Sequence, residues 1–180
     1  MAKIGFTGSV SVGKTTLVNA LKQLPEFEGY TFTTERSKYL RDLGVPLNTD
    51  STIKGQIIFA AERASELMCT NIITDRTIID VIAFTELSKS IPFYLKSDFR
   101  NLAYGLISEY DYIFYISPDG VAIEDNGVRT IDPEYRMSVD DEIRSICRKH
   151  SYQMKNYAEL TGSVEERVLK VKQTIFPAYL

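Results

Sequence analysis

Residues 8–15 read GSVSVGKT, and this stretch constrains the fold more than any other part of the chain. Two glycines bracket four small or β-branched residues, a lysine and threonines follow, and an apolar series at helical spacing begins at once. Glycine loses the most conformational freedom on folding, so two of them this close need a compensating reason. The stretch satisfies GxxxxGK[ST] without a gap, and it stands between a strand pattern and a helix pattern. In that setting glycines let the backbone curl until successive N–H groups converge on phosphate oxygens. The helix that follows adds its unpaired N–H groups and the positive end of its dipole. A plain surface turn explains neither the strand before it nor the helix after it.

The rest of the chain supports this context. "AKIGFT" (residues 2–7) reads as a buried strand, and Leu17, Val18, Leu21 and Leu24 predict a helix from Lys14 that ends before Pro25. "YTFTTE" predicts a second strand ending near Glu35, and "RSKYLRDLG" a short helix closed by Gly44. A longer helix is expected over Thr52–Met68, a third strand in "TNIITD" ending on Asp75, and helices over Ile78–Leu87 and Lys96–Ser108. "YDYIFYIS" predicts a fourth strand, "YQMKNY" (152–157) a fifth, and "ELTGS" a turn before a helix over Val164–Ile175. Pro133 is placed to open the helix that runs to about His150. Strands that are continuous apolar runs, alternating with helices, imply an α/β fold: a five-stranded parallel sheet with helices on both faces in three layers. In such sheets ligands gather at the carboxyl ends of the strands.

Composition narrows the function classes. The 180 residues suit a single domain, and 44% hydrophobic with 25% charged residues is ordinary for a globular chain. A net charge of −3 argues against sequence-independent binding to duplex DNA. His150 is the only histidine, which disfavours a histidine-based triad or a zinc site. Cys69 and Cys147 are far apart and read as buried, reduced thiols. With no apolar run of membrane-spanning length and no signal-peptide layout, a cytoplasmic protein is expected, either monomer or homodimer.

Further residues carry candidate chemistry. Ser11, Val12 and Thr16 complete the phosphate loop around Gly8, Gly13, Lys14 and Thr15. Lys14 offers a compact cation to the β- and γ-phosphates of ATP, and the Thr15 hydroxyl can ligate Mg²⁺. Asp75 ends a buried strand, where a carboxylate holds that Mg²⁺, with Arg76 beside it; a helix N-cap would use Asp75 as well. Glu35 stands where the second strand runs out, either as a catalytic carboxylate or as a solvated helix-start residue. The segment 118–136 has turn formers and charges without a period, and reads as a lid carrying Arg129 and Arg136, or as an ordinary exposed loop. Gln56, Phe59 and Arg63 fall on one stripe of the third helix. An amide, a ring and a guanidinium there can bind and stack a base, or simply form a packed helix flank.

Taken in order, the phosphate loop, "ERSKYLRDLG", "QIIFAAER", "DRTIIDVIAF", "EDNGVRTIDPEYR" and "GSVEERV" resemble the nicotinamide-riboside-kinase-like P-loop proteins, many of them described as AAA-type ATP-binding proteins. More distantly they are similar to deoxynucleoside and thymidylate kinases. The resemblance implies that Gly8, Gly13, Lys14, Thr15 and Thr16 bind ATP phosphates and Mg²⁺, and that Glu35 contacts the acceptor hydroxyl. It implies metal, acceptor or phosphate contact for Asp75 and Arg76, lid roles for Arg129 and Arg136, and a place near adenine for Gly162 and Ser163. Related chains follow the glutamate with an aromatic residue and then small-Arg. Here Arg36 and Lys38 follow instead, which suits an acceptor already carrying phosphate.

The expected function is therefore an ATP-dependent phosphotransferase acting on a hydroxyl or phosphate of a nucleoside, nucleotide or related small molecule. Lys14, Glu35, Asp75 and Arg129 are its candidate catalytic residues. Glu35, Arg36, Gln56, Phe59, Arg63, Arg76 and Arg136 are its candidate acceptor contacts. The alternatives are a kinase acting on a modified nucleotide within DNA, and a regulatory NTPase or nucleotide-dependent binding module.

Overall fold

A computed structural model of the chain describes residues 1–34, 36–120 and 132–177. Five strands are present among these residues: β1 (Lys3–Thr7), β2 (Thr31–Thr33), β3 (Ile72–Thr74), β4 (Tyr112–Ile116) and β5 (Tyr157–Leu160). They lie in the order β2-β3-β1-β4-β5 and every pairing is parallel. β1 is central, with Gly5 opposite Thr74 on one side and Ile113 on the other. All five carboxyl ends therefore share one edge, and the glycine-rich loop leaves from its middle.

The continuous apolar runs are explained by burial on both faces of the sheet. In β4, Ile113 and Tyr115 join one core while Phe114 and Ile116 join the other. The first core is closed by α4 (Ile78–Leu87), α5 (Phe93–Ala103) and α6 (Pro133–Lys149), through residues such as Ile79, Phe99 and Ile143. The second is closed by α1 (Lys14–Leu21) and α7 (Val164–Ile175), through Leu17, Val18, Leu21 and Val171. Phe6 stacks on Phe114 at 5.4 Å across neighbouring strands beneath them. The two remaining helices, α2 (Ser37–Asp42) and α3 (Ile53–Glu66), lie between β2 and β3 in the chain, and α3 packs against α4.

Several expectations are corrected. The fifth strand is not residues 152–157: a 3-10 turn covers Ser151–Gln153, and β5 runs over Tyr157–Leu160, taking Glu159 and Leu160 out of the supposed turn. Pairing starts where the Asn156 carbonyl accepts from the Ile113 N–H at 2.9 Å, and beyond it Ala158 and Leu160 turn into the core. Residues 152–156 have no such alternation. α1 stops at Leu21, and α5 starts three residues early at Phe93 and passes into a 3-10 turn after Ala103. Cys147 is buried, and burial pushes its thiol up to about 12. Cys69 is exposed, because it sits in the turn beyond α3, past the last core residue Leu67. Among the described residues, no helix is long and apolar enough to cross a membrane.

Candidate active site

The loop between β1 and α1 is shaped by positive φ angles at Gly8 (+153°), Ser11 (+58°) and Gly13 (+86°). A Cβ on Gly8 would lie 2.6 Å from the Ile116 carbonyl oxygen, which excludes any other residue there without backbone movement. Two buried arginines grip the loop from behind. Arg136 of α6 donates from Nε to the Val10 carbonyl at 3.1 Å, with longer contacts of 3.5 Å to the Ser11 and Pro118 carbonyls. Arg167 of α7 donates to the Val12 carbonyl at 2.7 Å. In a planar trans peptide the carbonyl and the next N–H point opposite ways. Holding the carbonyls of Val10, Ser11 and Val12 therefore turns the N–H groups of Ser11, Val12 and Gly13 to the other side, the arrangement that an anion requires. Burial lowers the pKa of both arginines.

At the start of α1, the Lys14 ammonium donates to the carbonyls of Gly8 (2.6 Å) and Ser9 (2.8 Å) and is 3.9 Å from a carboxylate oxygen of Asp80. The Thr15 hydroxyl donates to Asp75 Oδ2 at 2.5 Å, so strand β3 and helix α1 bring a hydroxyl and a carboxylate to one point. Thr16 lies exposed on the next position of the helix. Asp75 does not cap α4. That role belongs to Thr77, whose side chain accepts from the Ile79 N–H at 3.1 Å. Thr15 and Asp75 offer the hard oxygen donors that Mg²⁺ takes when phosphates and water complete its shell. Among the described residues no group of three His, Cys, Asp or Glu side chains could hold a metal ion alone.

Beside the loop is a cavity. Val10 of the loop, Gln56 and Phe59 of α3, Arg76 and Asp80 around the start of α4, and Phe84 of α4 line it. Arg76 is 3.8 Å from Asp80 and lies over the Phe84 ring at 5.1 Å. Ser37, Leu47 and Asn48 close another side; Asn48 has a φ of +56°, a conformation that asparagine tolerates better than most residues.

The proposed acceptor residues separate. Gln56, Phe59 and Arg76 share the cavity. Arg63 is buried behind it, bonded to Glu66 at 2.7 Å and to the Arg76 carbonyl at 3.4 Å. Arg36 pairs with Glu62 at 3.2 Å and covers the Tyr39 ring, while Lys38 is exposed. Gly162 (φ +79°) and the N-cap Ser163 open α7, the helix that carries Arg167. Glu35 and Arg129 lie outside the described residues.

Two residues escaped sequence reasoning. Asp80 had a signal, since Thr77-x-x-Asp80 is a capping box. Arg167 had one too: with Val164, Val168 and Val171 it occupies the apolar stripe of α7, a position where a charge needs a partner.

A parallel sheet with a glycine turn leading into α1 beneath a β3 carboxylate defines a P-loop fold of the kinase-like kind. A family model described as an AAA domain matches residues 3–167, and the chain belongs to that family. The fold is similar to deoxyadenosine kinase from M. mycoides with bound dCTP, at TM-score 0.69 and 17% identity over 96% of this chain and 98% of that one. The same enzyme with bound dATP gives TM-score 0.67 at 16% identity over 97% and 99% of the two chains. NadR protein in complex with NR gives TM-score 0.72 at 18% identity, over 95% of this chain and 50% of that one. Comparison with curated proteins finds no match.

Proposed function

We propose that the protein is an ATP-dependent kinase whose acceptor is a nucleoside or a closely related small molecule. The observation that carries this reading is the cavity itself: Gln56 and Phe59 face Arg76 and Asp80 immediately beside the phosphate loop. An amide reads the polar edge of a base, and Phe59 and Phe84 supply ring faces. The names of the structural neighbours, a deoxyadenosine kinase and NadR with NR, agree with this chemistry. A nucleoside is favoured over a nucleotide, because Arg36 and Lys38, the cations suited to a phosphorylated acceptor, are not among the residues lining the cavity.

In this reading the loop N–H groups and Lys14 hold the ATP phosphates, and Thr15 and Asp75 hold Mg²⁺, which neutralises charge on the transferring group. Arg76 lines the cavity together with Val10 of the loop, and in this reading it meets the γ-phosphate on the acceptor side. We assign Glu35 to orienting the acceptor hydroxyl and taking its proton, and Arg129 to the transferred phosphate. Transfer has little covalent chemistry for the protein to perform, so positioning and charge dominate the rate.

The test is ADP release from ATP and Mg²⁺ with no acceptor, with nucleosides, with nucleotides and with DNA. Stimulation by nucleosides supports the reading. Stimulation by DNA alone, or release indifferent to any acceptor, replaces it with a DNA kinase or an NTPase respectively.

A further inference from the structure

We propose that Asp80 is a positioning residue that joins the two halves of this site, setting Lys14 of the donor loop and Arg76 of the acceptor cavity relative to each other. The inference rests on the transfer reading above.

Asp80 is fully buried. Its Oδ2 accepts from the Thr77 N–H at 2.9 Å and from the Thr77 hydroxyl at 3.1 Å, which completes the capping box of α4 and fixes the carboxylate. Its Oδ1 takes no part in the cap. It accepts no hydrogen bond among the described residues, and lies 3.9 Å from Lys14 Nζ and 3.8 Å from Arg76 Nη1. The contrast with the other capping box of this chain is informative. Ser163 and Glu166 at the start of α7 are exposed and, among the described residues, form no ion pair with a cation from another element. Capping alone does not need a buried charge, because an amide oxygen accepts equally well and is cheaper to desolvate.

What the charge adds is a shared counter-ion. The ammonium and the guanidinium come from different elements and repel each other, and both lie within 4 Å of the same oxygen. At these distances they are attracted electrostatically, strongly in a poorly solvated site, without a short hydrogen bond to Oδ1 itself. Lys14 meanwhile donates to the Gly8 and Ser9 carbonyls, so the carboxylate sets the spacing of the two charges without locking either onto Oδ1. Removing the charge should leave phosphate affinity intact, or even raise it, since an anion no longer competes. The loss should fall on alignment, and hence on turnover.

Asp80→Asn keeps one oxygen for the cap and replaces the other with an amide. Asp80→Ser, smaller and still able to accept from the Thr77 N–H, is the second variant, used if the first fails to fold. We expect melting temperatures within about 3 °C of wild type. The Kd for ATP with Mg²⁺ should stay within about threefold, and kcat should fall about thirtyfold or more. Combined with Arg76→Met, the losses in kcat should be well short of multiplicative, because the two changes remove one arrangement. A kcat within about threefold of wild type overturns the proposal. So do a parallel fall of stability, affinity and turnover, or losses that multiply with Arg76→Met. If no acceptor stimulates the wild-type protein, the transfer reading fails separately, and the same comparison is made on its acceptor-free ADP release.

Discussion

Replacing Arg167 by methionine tests the idea that the phosphate loop is set from behind. Methionine keeps the unbranched stem and its packing in α7 but removes the guanidinium that donates to the Val12 carbonyl at 2.7 Å. A hydrogen bond involving a charged group contributes about 1.5–3 kcal/mol. Part of that is offset here, because Arg167 is only 3% exposed and burial already disfavours its charge. Roughly 1–2 kcal/mol remains as the net loss. For a chain of this size each kcal/mol shifts the melting temperature by about 2–4 °C, so a drop of about 2–8 °C is expected. Freed of its tie, the peptide between Val12 and Gly13 no longer presents its N–H to phosphate in advance. If binding must restore that order, the Kd for ATP with Mg²⁺ rises about 5- to 30-fold. Melting curves with and without nucleotide, together with calorimetric titration, read both quantities. A Kd within about twofold of wild type refutes the bracing argument whatever happens to stability.

Lys14→Ala should lower turnover by about 10²-fold or more while melting normally, since it removes charge at the transferred phosphate rather than core volume. A variant retaining a tenth of wild-type turnover would remove Lys14 from the chemistry. Asp75→Asn should raise the Mg²⁺ needed for half-maximal activity by about 10- to 100-fold, read in a metal titration. Glu35→Gln should cost roughly 10²-fold in kcat with ATP affinity nearly unchanged; a variant as fast as wild type places the base elsewhere, with Asp75 next in line.

What could be read from the chain in advance was what is local in it. The turn GSVSVGKT carries its own glycines, and its neighbours announce strand and helix through runs of three to six residues. β4 was legible for the same reason, because "YDYIFYIS" buries both faces and admits no polar residue between Tyr112 and Ile116. β5 was misplaced because it is an edge strand: Tyr157 and Glu159 face outward, and Tyr152 and Met154 just before it imitate a strand without pairing. Arg167 and Asp80 were missed as site residues for another reason. Their local signals, an apolar stripe and a capping box, name no target, and only the packing of α7 and α4 shows what each reaches. Arg36 and Lys38 illustrate the converse: their place after Glu35 suggested the acceptor, yet Glu62 draws Arg36 away.

The two arginines behind the phosphate loop stand 126 and 155 residues downstream of the carbonyls they hold. The signature octapeptide is thus translated well before the residues that complete it. At about 5–20 residues per second, a ribosome needs roughly eight to thirty seconds to pass from Val12 to Arg167. Throughout that interval the nascent chain contains the whole motif with neither α7 nor its brace. A fragment ending before α7 is in the same position permanently: its phosphate-binding letters are intact, but the structure that makes them bind is incomplete.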